Sequence, residues 1–330
     1  MKFIIILLIL LAFAGLSACI HSAVYTSRIE TAHPPKGVMV PVNGVDVHVM
    51  RAGETGPPVL MIHGASANAH EFTYTLAPRL SETHRILMAD RPGHGYSGRP
   101  DDAETLGMQA AQMAGVLTEL VPDEQAVIVG HSYGGAVAIR LALDHPDKVK
   151  GLVLLAPVSH DWGGGGEAWY NKYAGAPIIG PIFSQLVPIV GPAQVKSGIS
   201  GVFSPKQAPE GYYERSAIGL LFRPPEFRAN AKDMNALRQE MAAQQARYGE
   251  ISVPIVVLSG AQDTIISPAL HVGELKKQVD GLQLVRLPEG GHMPHHFYGS
   301  EAADAIQLIA AGEPVNAAQL EASAQARDRE

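Results

Sequence analysis

Cysteine is nearly absent: Cys19 stands alone among 330 residues. No intramolecular disulfide can form, and a zinc site of the cysteine-rich type is excluded. Basic residues are also sparse, with 25 Lys and Arg against 32 Asp and Glu and no cation cluster beyond pairs such as Lys276 and Lys277. The formal net charge of −7 and the lack of a basic stripe argue against a nucleic-acid partner. Internal repeats and low-complexity tracts are missing as well. The 34 glycines and 24 prolines are spread along the whole chain, which argues against collagen-like and disordered architectures. What is there is a globular sequence, 46% apolar, long enough for one large domain with an insertion or for two domains.

One long apolar run exists, residues 3–14 behind Lys2, ending in Gly15-Leu16-Ser17-Ala18-Cys19. It reads as an export signal. Extended through Ile20 it nears the roughly 20 residues needed to cross a bilayer core. Leu16-Ser17-Ala18-Cys19 resembles the lipobox of bacterial lipoproteins, which implies acylation of the Cys19 thiol and cleavage just before it. An uncleaved anchor helix is the alternative. Either reading holds an exported protein to a membrane through its N-terminus, on the periplasmic or extracytoplasmic side. Residues 1–18 are therefore expected to be signal peptide or anchor. Residues 19–37, polar and then proline-rich at His33-Pro34-Pro35, are expected to be a tether without helical period.

From residue 38 the pattern changes. Asn43-Gly44 between alternating valines predicts a hairpin. Short apolar runs then recur at 59–62, 85–89, 126–129, 152–155, 255–259 and 283–287, most of them separated by helix-length segments such as 108–120, 135–143 and 270–279. This is the alternation of an α/β protein with a mostly parallel sheet and helices on both faces. It breaks at residues 158–249, too long for a plain connection and so expected to be a structured cap between core segments 38–157 and 250–312. The cap opens with Asp161-Trp162 and four glycines, 163–166, and closes with a helical stretch over 225–248. The polar residues 313–330 are expected to be a frayed tail.

The chemistry-bearing residues fall at strand ends. Gly130-His131-Ser132-Tyr133-Gly134 joins a strand to a helix, the context in which a serine sits on a tight turn with its Oγ exposed beside a helix N-terminus. A serine needs a histidine base and an acid that orients it. Asp263 follows one later strand and His292 the next, in the order Ser132, Asp263, His292. Asp161, just past the run 152–155, competes with Asp263 for the acid role. Backbone N–H groups of Tyr133 and Ala65, the latter in His63-Gly64-Ala65, are placed to form an oxyanion hole.

With His63-Gly64, Asp90-Arg91-Pro92-Gly93-His94-Gly95-Tyr96-Ser97, Gly130 to Gly134, Gly260-x-x-Asp263 and Gly291-His292 in order, the chain resembles the α/β-hydrolase superfamily over about residues 38–312. The resemblance implies the branch with a cap inserted after the sixth strand. It also implies a serine hydrolase working through an acyl-enzyme, foremost a carboxylic ester hydrolase (esterase- or lipase-like), with no metal or organic cofactor. Hydrolytic carbon–carbon cleavage, perhydrolysis and non-catalytic, membrane-tethered binding remain open on the same fold. Ser132 argues against the aspartate-nucleophile dehalogenases and epoxide hydrolases.

His63 and His94 are expected to fix loops, His131 to pack beneath the nucleophile, and His295 and His296 to play a supporting or solvent-facing part. Trp162, Trp169, Tyr170 and Tyr173 are expected at the cap entrance. The apolar stretches 177–190 and 218–222 suggest a pocket for a lipophilic small-molecule ester, although packing of the cap's own core explains them equally.

Overall fold

The apolar N-terminal run continues without a break as helix α1 (Lys2–Ala32). Residues 19–32, expected to be a non-helical tether, are therefore helical. Periodicity gave no sign of this because docking, not an amphipathic stripe, supports the segment: Ala18 and Ser22 are buried, Tyr25 Oη donates to Gly219 O at 3.0 Å, and Glu30 pairs with Arg223 at 2.8 Å. Residues 1–165 and 168–329 are described in this computed structural model. Gly166 of the four-glycine run and Glu330 at the end of the tail lie outside the described residues.

Asn43 and Gly44, at φ +49° and +80°, turn β1 (Val38–Val42) into β2 (Val45–Ala52). There follow β3 (Pro58–Ile62), α2 (Ala77–Leu80), β4 (Arg85–Ala89), α3 (Leu106–Leu120), β5 (Ala126–His131), α4 (Tyr133–Asp144) and β6 (Val149–Leu155). An insertion then carries α5 (Trp169–Gly175), α6 (Gly180–Phe183), α7 (Val187–Phe203), α8 (Tyr212–Arg215) and α9 (Pro224–Gln244). The body closes with β7 (Ile255–Gly260), α10 (Pro268–Gln278), β8 (Gln283–Leu287), α11 (Pro294–Phe297), α12 (Gly299–Ala311) and α13 (Ala317–Arg327).

The strands form one sheet in the order β1-β2-β4-β3-β5-β6-β7-β8. β2 runs antiparallel to both β1 and β4, and every pair from β4 to β8 is parallel. Parallel strands covered on both sides must be apolar on both sides, and β3 and β5 are buried throughout. Leu60, Ile62, Ile128, Leu152 and Leu154 belong to the core on the α4 side of the sheet, whereas Val59, Met61, Val127, Val129 and Val153 belong to the core on the α12 side. Residues 313–329 thus do not form a frayed tail. Leu320 and Ala324 of α13 are buried, Arg286 N donates to Glu321, and Asp328 accepts from Tyr298 Oη and Lys206.

The insertion is fixed to the core by buried charge. Arg91, fully buried in the loop after β4, pairs with Asp233 of α9 at 2.8 Å, and Arg99 reaches the other oxygen of the same carboxylate, also at 2.8 Å. Elsewhere the insertion turns apolar side chains outward. Ile178 is 84% and Ile182 73% exposed, and Leu186, Ile189 and Val190 are exposed on the segment 184–203, which packs along α1. The stretch 177–190 therefore divides: Val187 is buried against Leu221 and Phe222 in a small core of the insertion's own, whereas the isoleucines and Leu186 point outward.

Candidate active site

Ser132 is the hinge between β5 and α4, at φ +51° and ψ −114°, a conformation that costs about 1–3 kcal/mol for a residue with a Cβ. The surroundings hold it there: Ser132 N donates to Leu155 O at 3.0 Å, and Ser132 O accepts from Gly135 N and Val158 N. Glycine is required on both flanks. A Cβ at Gly130 would strike the Gly134 carbonyl, and one at Gly134 would strike the carbonyls of Ile62 and His63.

The Ser132 Oγ lies 3.0 Å from His292 Nε2, and His292 Nδ1 lies 2.8 Å from Asp263 Oδ2. The three side chains arrive from the ends of β5, β8 and β7. Asp161 is not part of this chain of contacts; its Oδ1 accepts from Gly163 N at 2.9 Å. The other Asp263 oxygen accepts from Ile265 N at 2.8 Å and Ile266 N at 3.0 Å. Burial alone would raise the Asp263 pKa, but the His292 hydrogen bond, its charge and those two N–H groups outweigh it and hold the carboxyl below its ordinary range.

On the opposite side, Tyr133 opens α4 and has no carbonyl one helical turn back to take its N–H. Gly64 and Ala65 follow β3, close enough that a Cβ on Gly64 would press on His131 and on Ser132 Cβ. His63 takes Arg91 N–H on Nε2 at 2.9 Å and faces Gly64 O through Nδ1 at 2.8 Å, so it is neutral and protonated at Nδ1. Burial, helped by the Arg91 charge, pushes its pKa down to about 4. His94 likewise braces its own turn, 3.2 Å from Pro92 O.

The insertion roofs this loop. Asn230 accepts from Ser66 N at 2.7 Å, and Asn68 donates to Ser216 O and Ala217 O. Ser132 is only 9% exposed. Trp169, Tyr170 and Tyr173 cluster with Phe183 near the surface, whereas Trp162 stands apart toward His271. His295 is buried, not solvent-facing, and His296 is half-buried. Glu71, to which no motif points, lies fully buried beneath the nucleophile with its Oε1 2.5 Å from His131 Nδ1.

Residues 57–175 match the alpha/beta hydrolase fold family. A pimeloyl-(acyl-carrier protein) methyl ester esterase of Neisseria meningitidis is 30% identical over 244 residues, covering 72% of this chain and 86% of that protein. This chain belongs to the α/β hydrolase family. A second relative in the comparison, the dihydrolipoyllysine-residue acetyltransferase component of the acetoin cleaving system of Cupriavidus necator, is 28% identical over 262 residues. That match takes in 76% of this hydrolase-family chain and spans 63% of the relative's length. The crystal structure of a membrane phospholipase A shares the fold with a TM-score of 0.67 at 22% identity, over 94% of this chain and 98% of that one.

Proposed function

We propose that the protein is a serine hydrolase acting on carboxylic esters with lipophilic groups. The observation that carries the reading is the continuous contact from Ser132 Oγ through both nitrogens of His292 to Asp263. Ser132 Oγ attacks the ester carbonyl while His292 Nε2 takes its proton, and Asp263 holds the imidazole with Nδ1 protonated. The N–H groups of Tyr133 and Ala65 receive the oxyanion, each such donor contributing about 3–4 kcal/mol to the transition state. His292 returns the proton to the leaving alcohol, then activates the water that cleaves the acyl-enzyme.

The preference for esters is supported by the 30% identity to a methyl ester esterase. The lipophilic preference rests on α1, long and apolar enough to cross a membrane, and on the exposed isoleucines of the insertion. In this reading α1 is a retained anchor on an exported protein, and residues 158–249 form a cap whose outer face meets the lipid surface. Continuity of the helix through Ala18 and Cys19 favours retention; an acylated chain starting at Cys19, detected by intact mass, would replace it.

The test needs no substrate guess. A fluorophosphonate added to the full chain in detergent is expected to label Ser132 alone, and labelling is expected to vanish in Ser132→Ala and to fall on the order of 1,000-fold or more in His292→Ala. A folded wild-type protein that stays unlabelled would favour a binding protein on this fold.

A further inference from the structure

The strongest unassigned feature is the buried charge beneath the nucleophile. Glu71 lies in the short turn 69–72, His131 ends β5, and His292 follows β8. Glu71 Oε2 accepts from Gly64 N at 3.0 Å. His131 Nδ1 meets Glu71 Oε1 at 2.5 Å, and His131 Nε2 lies 2.9 Å from the main-chain oxygen of His292. One path thus runs from the loop carrying Ala65, under Ser132, to the backbone of the base.

The protons on this path follow from its partners. A carbonyl oxygen only accepts, so His131 Nε2 carries hydrogen. A bare Nδ1 lone pair cannot sit 2.5 Å from a carboxylate oxygen, so a proton lies in that contact too, although the two atoms meet off the straight hydrogen-bond axis. Burial would drive His131 toward its neutral form, yet the Glu71 charge and contact outweigh it and raise the pKa, while His131 and the Gly64 N–H outweigh burial at Glu71 and lower that one. Both directions favour an imidazolium beside a carboxylate. The other imidazoles that face it carry no charge near neutral pH: burial pushes His295 far below the ordinary range, His296 and His63 to about 4, and His292 downward.

A metal ion explains the cluster less well. Ligand atoms of Glu71, His131 and His295 lie within 4.8 Å of one another, and both ring nitrogens of buried His295 lack hydrogen-bond partners among the described residues. Tetrahedral zinc with bonds of about 2.0–2.1 Å, however, spaces its ligands about 3.3 Å apart. The 2.5 Å contact leaves no such room between Nδ1 and Oε1.

We infer that Glu71 and His131 are positioning residues acting as one charged strut that holds the Gly64-Ala65 peptide and the His292 backbone in register around Ser132. The inference rests on the serine-hydrolase reading. The strut stabilises geometry used in the transition state, so its loss lowers kcat more than it raises KM.

The test uses the full chain in detergent. Proton–nitrogen correlation spectra of histidine-labelled protein, with His131 identified by its loss in His131→Gln, are expected to show both ring nitrogens protonated near neutral pH in the wild type and one in Glu71→Gln. A bare Nδ1 in the wild type overturns the strut. With p-nitrophenyl hexanoate, Glu71→Gln is expected to lose on the order of 10- to 100-fold in kcat with KM changed less than about twofold. An unchanged kcat overturns the proposal, and so does bound zinc found by elemental analysis whose removal abolishes activity. If wild-type Ser132 takes no fluorophosphonate, it is the hydrolase reading that fails, and the spectra still decide the protonation of His131.

Discussion

Burial moves the His292 imidazole below the ordinary histidine value of 6.5, with the His131 charge adding to the shift and the Asp263 contact opposing it. In the proposed mechanism only neutral His292 accepts the serine proton. The acid limb of kcat/KM is therefore expected to have its midpoint below pH 6.5, and a pH–rate profile with the midpoint above that value would place a different group in control. The sign for stability is the same. As pH falls through 6.5 the unfolded chain binds a proton that folded His292 refuses, so this group makes unfolding easier in acid. Ser132, Asp263 and His292 were legible because each closes a short motif at the end of a buried strand. The rivalry of Asp161 was not decidable along the chain, since both aspartates follow strands and only the fold shows which one reaches His292. Glu71 was invisible for a similar reason: its partner His131 lies 60 positions away, and a lone glutamate before Phe72 reads as surface.

At the scale of elements, α9 is the part of the insertion tied to the core by buried ion pairs. Removing the carboxylate of Asp233 would leave Arg91 buried and unpaired, a change that typically costs about 3–5 kcal/mol. Asp233→Ala is expected to lower the urea midpoint accordingly, and a shift of under about 1 kcal/mol would show that water or another acid takes over. The strands were legible because fully covered parallel strands appear as continuous apolar runs. The two ends of the chain were not. The last part of α1 and all of α13 are polar helices that owe their shape to a few tertiary contacts, Tyr25 and Glu30 in one and Leu320, Ala324 and Glu321 in the other. Periodicity reports faces, and neither segment has one of any width.

For the molecule as a whole, the exposed isoleucines and α1 present apolar surface that water does not favour. Replacing Ile178 and Ile182 together by serine is expected to slow hydrolysis of a long-chain ester carried in vesicles several-fold and to leave a soluble short-chain ester unaffected. Equal rates on both substrates would mean the surface serves another contact. Composition announced this apolar stretch but not its direction, because the choice between a pocket and an outer face depends on which side of α6 and α7 meets the core.

The sheet order has a consequence during biosynthesis. From β5 onward each new strand joins the edge left by the one before, so a ribosome that has delivered residues 1–165 has supplied the nucleophile but not yet Asp263 or His292. A chain still in transit, or one clipped before β7, carries Ser132 without Asp263 and His292, and under the proposed mechanism reactivity arrives only with the final two strands.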